Sequence, residues 1–106
     1  MPALKRHPFV RAELQSAYDW YEDQLPGLGS EFREEFFHVC RKLGQGLLLH
    51  AVRFANVRRL NLDCFPYGNF YVVRPDEVCV LAVLHASRDT DYILAERRRT
   101  FSAASF

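Results

Sequence analysis

The sequence has little of what a metal scaffold, a disulfide scaffold or a membrane span requires. Its 106 residues include three cysteines, one tryptophan, one methionine, five glycines and five prolines. Cys40, Cys64 and Cys79 are odd in number and far apart, and no CxxC or Cys/His ligand spacing is present, which excludes a zinc site and a disulfide framework. They read as three small buried hydrophobes in a reducing compartment. No apolar run approaches the roughly 20 residues of a membrane helix; the longest is Val78 to Leu84. The basic start, Met1 to Pro8, has no apolar h-region behind it, so a secretory signal is not expected. One-sided charge is missing too. Fourteen Lys+Arg face thirteen Asp+Glu, for a net charge of +1, which is far from a dedicated polyanion binder. The balance tilts only locally: from residue 51 onward there are eight arginines, no lysine and six acids. Any contact with an acidic partner or a phosphate must therefore come from a local arginine cluster. Repeats and low-complexity tracts are absent, and the length suits one domain over residues 1–106, with 100–106 expected as a loosely ordered tail.

What is present is a change of period near residue 50. Val10, Leu14, Ala17, Tyr18, Tyr21 and Leu25 mark a helical stripe that Pro8 can start and Pro26-Gly27-Leu28-Gly29 must end. Ser30 is the expected cap of a second helix, whose stripe is Phe32, Phe36, Val39, Cys40 and Leu43. Arg41 and Lys42 suit its C-terminal end, and Gly44 and Gly46 stop it. Asp19, Glu22 and Asp23 read as the solvent face of the first helix. Beyond residue 50, Arg58 to Phe65 alternates polar and apolar as a half-buried strand does. Pro66-Tyr67-Gly68 reads as a break or bulge, Asn69 to Val73 as a further strand, and Arg74 to Glu77 as a turn. Val78 to Leu84 is apolar on both alternating faces and should be a central strand covered on both sides. Asp91 to Arg99 can close the chain as a short helix, and Ala3 to His7 can form one edge strand before the hairpin. The expected fold is α+β in the order β-α-α-β-β-β-α: an antiparallel-dominated sheet with a helical hairpin on one face.

Four stretches in this order resemble the ParE/RelE toxin superfamily, the plasmid stabilization proteins of type II toxin–antitoxin pairs. They are Trp20-Tyr-Glu-Asp-Gln-Leu-Pro-Gly-Leu-Gly29, Val57-Arg-Arg59, Phe65-Pro-Tyr67 with Phe70-Tyr71, and Val80-Leu-Ala-Val-Leu-His85-Ala-Ser-Arg88-Asp89. The resemblance spans nearly the whole chain and implies the same fold. It also implies a toxin that arrests growth and is neutralised by a cognate antitoxin, with no cofactor, small-molecule ligand or membrane. Two activities exist in the superfamily. RelE-like members are ribosome-dependent endoribonucleases acting on mRNA through a basic, aromatic cluster; ParE-like members inhibit DNA gyrase by binding it. This chain has Gly68 where a RelE-like enzyme places arginine, Ala86 near a second basic position, and an apolar stretch from Leu47 to Ala51 where paired lysines would lie. The resemblance is thus closer to the ParE-like branch. A RelE-like nuclease and a non-toxic interaction protein on the same fold remain the alternatives.

Ribonuclease chemistry needs a group to activate the 2′-hydroxyl, cations for the phosphate and a proton donor for the leaving oxygen. Under the RelE-like reading those roles fall to Arg59, His85, Arg88 and Tyr92, with Arg58 nearby, if Arg59 and the His85–Arg88 end share one rim of the sheet. Under the ParE-like reading Arg58, Arg59, Arg88, Arg97 and Arg98 are candidates for the target contact. His85 can equally be a hydrogen-bonded structural histidine, Arg59 can pair internally with Asp63 or Asp89, and Arg97 to Arg99 can be a solvated helix end. Tyr67 and Tyr71 read as packing residues whose hydroxyls reach water. Phe9, Tyr18, Phe37 and Leu47 are candidates for the incompletely buried surface that an amphipathic antitoxin tail would cover.

Overall fold

The computed structural model describes residues 3–44, 52–54, 57–74, 77–88 and 90–103. Its elements run β1 (Ala3–Arg6), α1 (Pro8–Gln24), α2 (Leu28–Gly44), β2 (Val52–Phe54), β3 (Val57–Asn61), β4 (Tyr67–Arg74), β5 (Glu77–His85) and α3 (Thr90–Ala103). The five strands form one sheet in the order β1-β5-β4-β3-β2. Only the β1–β5 pair is parallel; the other three pairs are antiparallel. The α+β class and the helical hairpin are as the periodicity predicts. The sheet has one strand more than expected, since β2 pairs with β3 and its three residues are too short a run to read as a strand. The Arg58–Phe65 strand is also shorter than expected, ending at Asn61. The closing helix reaches Ala103, past Arg99, so four residues of the expected tail are helical and the rest lies outside the described residues. No helix among the described residues is long and apolar enough to cross a membrane.

The hairpin is set by local chemistry. His7 caps α1, its Nδ1 accepting from the Phe9 amide, and Pro8 occupies the first turn, where its missing N–H costs nothing. Gly27 adopts a positive φ of 93°, which turns the chain sharply into α2. The expected cap, Ser30, lies inside α2. Glu22 does that work instead: its carboxylate accepts from the amides of Gly27 and Gly29 and ties the end of α1 to the start of α2. Gly29 is where the two helices meet most closely, since a Cβ there would lie 2.5 Å from the Tyr18 carbonyl oxygen.

The sheet buries both faces. Tyr71, Val78, Val80 and Val83 face the hairpin and pack with Phe32, Phe36, Val39 and Leu43, while Val57, Phe70, Val72, Leu81, Ala82 and Leu84 pack with Leu94 of α3. Each fully buried phenylalanine or leucine contributes about 2 kcal/mol through its lost contact with water. Tyr71 is completely buried, so its hydroxyl does not reach bulk water as expected. Nor are all three cysteines buried: Cys64 lies exposed in the turn after β3, its amide donating to Glu35, and only Cys40 and Cys79 are core hydrophobes. Burial pushes the Cys79 thiol up to about 11.

One irregularity organises the faces of β5. Phe70 pairs with Ala82 but Tyr71 pairs with Val80, so Leu81 is an extra residue, a β-bulge. It reverses the alternation and sends Val83, and with it His85, to the same face as Val78 and Val80. β1 covers the outer edge of β5 only as far as Val80, whose carbonyl takes the His7 amide. Beyond that point side chains replace the missing strand. Glu13 of α1 accepts from the Val83 amide at 3.1 Å, and Arg97 of α3 donates to the Leu81 carbonyl at 3.2 Å. The two side chains are 2.6 Å apart and only 14% and 11% exposed.

Two measurements follow from this packing. Burial is the largest influence on Glu13 and holds its carboxyl above the usual range, while Arg97 pulls it back down. A carboxyl raised in the folded state loses stability as pH rises from its unfolded value through the folded one. Arg97→Ala removes the opposing influence, so its deficit should grow from pH 4 to pH 8, reaching about 3 kcal/mol in urea unfolding. Glu13→Gln in that background should restore part of the loss, and a deficit that shrank with rising pH would contradict the assignment. Gly29→Ala should force α1 and α2 apart and cost about 2 kcal/mol in the same assay.

Candidate functional site

Two concave surfaces flank α1, one on each side. The first is a groove of about 450 Å³ between α1, α2 and the end of β1. Arg6, Arg11 and Arg33 rim it, Leu14, Tyr18 and Phe37 form its apolar wall, and among the described residues no acidic side chain lines it. Arg33 lies 4.8 Å over the Tyr18 ring and Arg6 lies 5.7 Å over the Phe37 ring, so two of the guanidinium groups are held against aromatic faces. The groove is therefore basic and apolar at once. Of the four residues expected to meet an antitoxin, Tyr18 and Phe37 are half-buried in it. Phe9 is on the opposite side of α1, 61% exposed and beneath the Arg97 guanidinium at 5.3 Å. Leu47 lies outside the described residues.

The second surface is a cleft of about 370 Å³ between α1 and the end of β5, with Glu13, Trp20, Tyr67, His85 and Arg88 among its lining residues. Strand pairing places Tyr67 opposite His85, and the two rings meet edge to face at 5.2 Å. Tyr67 in turn contacts Tyr21, and Tyr21 contacts Trp20 at 5.1 Å, so a chain of rings runs from the strand to the surface. Trp20 is 58% exposed at its outer end. The Arg88 guanidinium is close enough to lower the titration of both the Tyr67 hydroxyl and Glu13, although burial raises each overall. His85 is fixed by the turn: its Nδ1 accepts from the Ser87 amide at 3.0 Å and lies 2.8 Å from the Ser87 hydroxyl. A nitrogen that accepts an amide carries no hydrogen, so the ring hydrogen is on Nε2 and the remaining polar edge of the ring is a donor.

The residues named for ribonuclease chemistry do not converge. Residues 67, 69, 71 and 73 of β4 face the hairpin and 70 and 72 face α3. Arg59 is opposite Phe70, its guanidinium 5.2 Å over that ring, and its Nε donates to Asn61. Arg59 therefore lies on the α3 face, while His85 and Arg88 belong to the cleft on the hairpin face. The expectation of a shared rim fails because the bulge at Leu81 reverses the alternation before His85. Among the described residues Arg59 donates to Asn61 in place of pairing with Asp63; Asp89 lies outside the described residues. The same side chain accounts for Gly68, where a Cβ would lie 2.6 Å from the Arg59 Nε. Tyr92 is 78% exposed on the first turn of α3.

Of the arginines named for a target, Arg97 is turned inward onto Glu13 and Leu81 and is not available at the surface. Arg88 and Arg98 are exposed, Arg58 and Arg59 half-buried. Trp20 has no counterpart among the sequence candidates. The signal that could have found it was its place in α1: Phe9, Glu13, Ser16 and Trp20 follow helical spacing on a face separate from the core stripe.

No protein-family model matches the chain, and no curated protein matches it in sequence. Among solved structures it is similar to a chain of the "Chromosomal ParDE TA system from P. aeruginosa", with a TM-score of 0.73 and 23% identity over 82% of this chain and 98% of that one. Because Arg59 and Arg88 lie on opposite faces, the stability losses of Arg59→Ala and Arg88→Ala should add to within about 0.5 kcal/mol in the double variant. A larger coupling in urea unfolding would place them in one cluster after all. The chain thus has the RelE/ParE-like fold, shared with a member of a ParDE toxin–antitoxin system.

Proposed function

We propose that the chain is the toxin of a toxin–antitoxin pair, of the ParE-like kind: a cytoplasmic binding protein that arrests growth by engaging DNA gyrase and is masked by a cognate antitoxin. The observation that carries the reading is the match of fold to a chain of a ParDE system over nearly all of that chain's length. The separation of Arg59 from His85 and Arg88 supports binding over RNA cleavage, because general acid, general base and phosphate-stabilising cations must meet at one phosphate.

The antitoxin contact is assigned to the groove between α1 and α2. Its three arginines and aromatic wall suit an amphipathic segment with carboxylates beside its apolar face. The charge complementarity of this contact rests on Arg6, Arg11 and Arg33. Tyr18 and Phe37 stay in the contact, and Phe9 leaves it.

Induction of the chain in bacteria should halt growth, and co-expression with the short reading frame encoded beside it should restore growth and yield a co-purifying complex. Purified protein should inhibit gyrase supercoiling and leave translated messages uncut in primer extension. Arg11→Glu with Arg33→Glu should weaken the complex by about tenfold or more, increasingly so at low salt. Message cleavage with unimpaired supercoiling would reverse the choice between the two activities.

A further inference from the structure

The cleft on the other side of α1 is not used by the antitoxin contact, and its composition is that of a protein-binding centre. Trp20, Tyr67 and Arg88 are the residue types that carry most binding energy at protein interfaces, where a few buried anchors outweigh the surrounding contacts. Here they surround one concavity of about 370 Å³. The tryptophan ring meets the Tyr21 ring edge to face, a contact that favours its place at the cleft mouth. The charge is also defined. Glu13 is matched by Arg97 at 2.6 Å, which leaves the Arg88 guanidinium without an ion-pair partner among the described residues, with the Nε2 hydrogen of His85 as a donor beside it.

We propose that this cleft is the surface by which the chain grips its target protein, and that the target supplies a carboxylate side chain to Arg88 and His85 next to an apolar or aromatic side chain on Trp20. The proposal rests on the toxin reading above and adds the place and chemistry of the target contact. A protein fits better than a single-stranded nucleic acid. A phosphate backbone is followed by several cations in a row, and the described residues lining this cleft offer Arg88 together with the Glu13 carboxylate. The antitoxin groove and the target cleft lie on opposite flanks of α1, so one helix serves both partners with different side chains: Arg11, Leu14 and Tyr18 on one side, Glu13 and Trp20 on the other.

The test uses the full chain under an inducible promoter, with Trp20→Ala, Arg88→Ala, Arg88→Glu and Arg88→Lys, and Asp23→Ala as an exposed control outside both surfaces. Far-UV circular dichroism and urea unfolding confirm that each variant folds. The inducer needed to halve growth should rise about tenfold or more for Trp20→Ala and Arg88→Ala. It should rise furthest for Arg88→Glu, recover in part for Arg88→Lys and stay unchanged for Asp23→Ala. All folded variants should still be rescued or captured by the antitoxin. Arrest by the unaltered chain and equally by Trp20→Ala and Arg88→Glu would overturn the cleft assignment and leave the toxin reading standing. Absence of arrest by the unaltered chain would overturn both. Because Trp20 is the single tryptophan, its fluorescence reports on this cleft directly. A twelve-residue oligothymidine should leave it unchanged, and quenching that disappears in Arg88→Ala would replace the protein partner with a nucleic acid.

Discussion

The structure depends on how it completes one strand edge. β5 is fully buried along Val78 to Leu84 and is paired on one side by β4, but on the other side β1 stops at Val80. A buried strand with unmet amides and carbonyls is unstable, because each unsatisfied group loses its water without replacement. Two side chains from distant elements provide the remedy, Glu13 to the Val83 amide and Arg97 to the Leu81 carbonyl, and their opposite charges compensate each other. The ion pair joins α1, α3 and β5 at one point. It sits at the bulge at Leu81, just past the last residue that β1 covers.

From that point the two faces of the molecule acquire separate tasks. The bulge turns His85 toward the hairpin, where it meets Tyr67 and the end of the α1 cleft, and leaves Arg59 on the α3 side lying across Gly68. A cluster able to act on one phosphate is thereby divided in two. What remains on the hairpin face are surfaces suited to recognition: a basic aromatic groove on one flank of α1 and a tryptophan-bearing cleft on the other. Opposite flanks of one amphipathic helix can serve two partners only when its third side is fixed in the core. Val10, Ala17 and Tyr21 fix it.

Much of the fold was legible in the residues, and its exceptions are physical. The stripes of α1 and α2 and the unbroken apolar run of β5 exposed the hairpin and the central strand, because burial writes its period directly into sequence. Ser30 misled as a cap because α2 starts earlier, at Leu28, where Glu22 of the preceding helix takes the amides of Gly27 and Gly29. β2 was missed because three residues are too few to establish a strand period in the sequence. The candidate site was less legible. Arg97 looked like a solvated helix end, and only the distant Glu13 reveals it as internal. Whether Arg59 and His85 share a face depends on a single extra residue in β5, and bulges have no compositional signature in an all-apolar run. Trp20 was read only as part of a motif, since its exposure depends on where α1 meets the sheet.

The parallel pairing of β1 with β5 joins Ala3 to Glu77 and Arg6 to Val80, so the first strand can find its place only after the chain has been synthesised through Val80. The hairpin can collapse early on its own short-range contacts, whereas both flanks of α1 acquire their final shape only when that late strand and α3 have docked. A nascent chain therefore lacks the finished flanks of α1 until β5 and α3 have emerged.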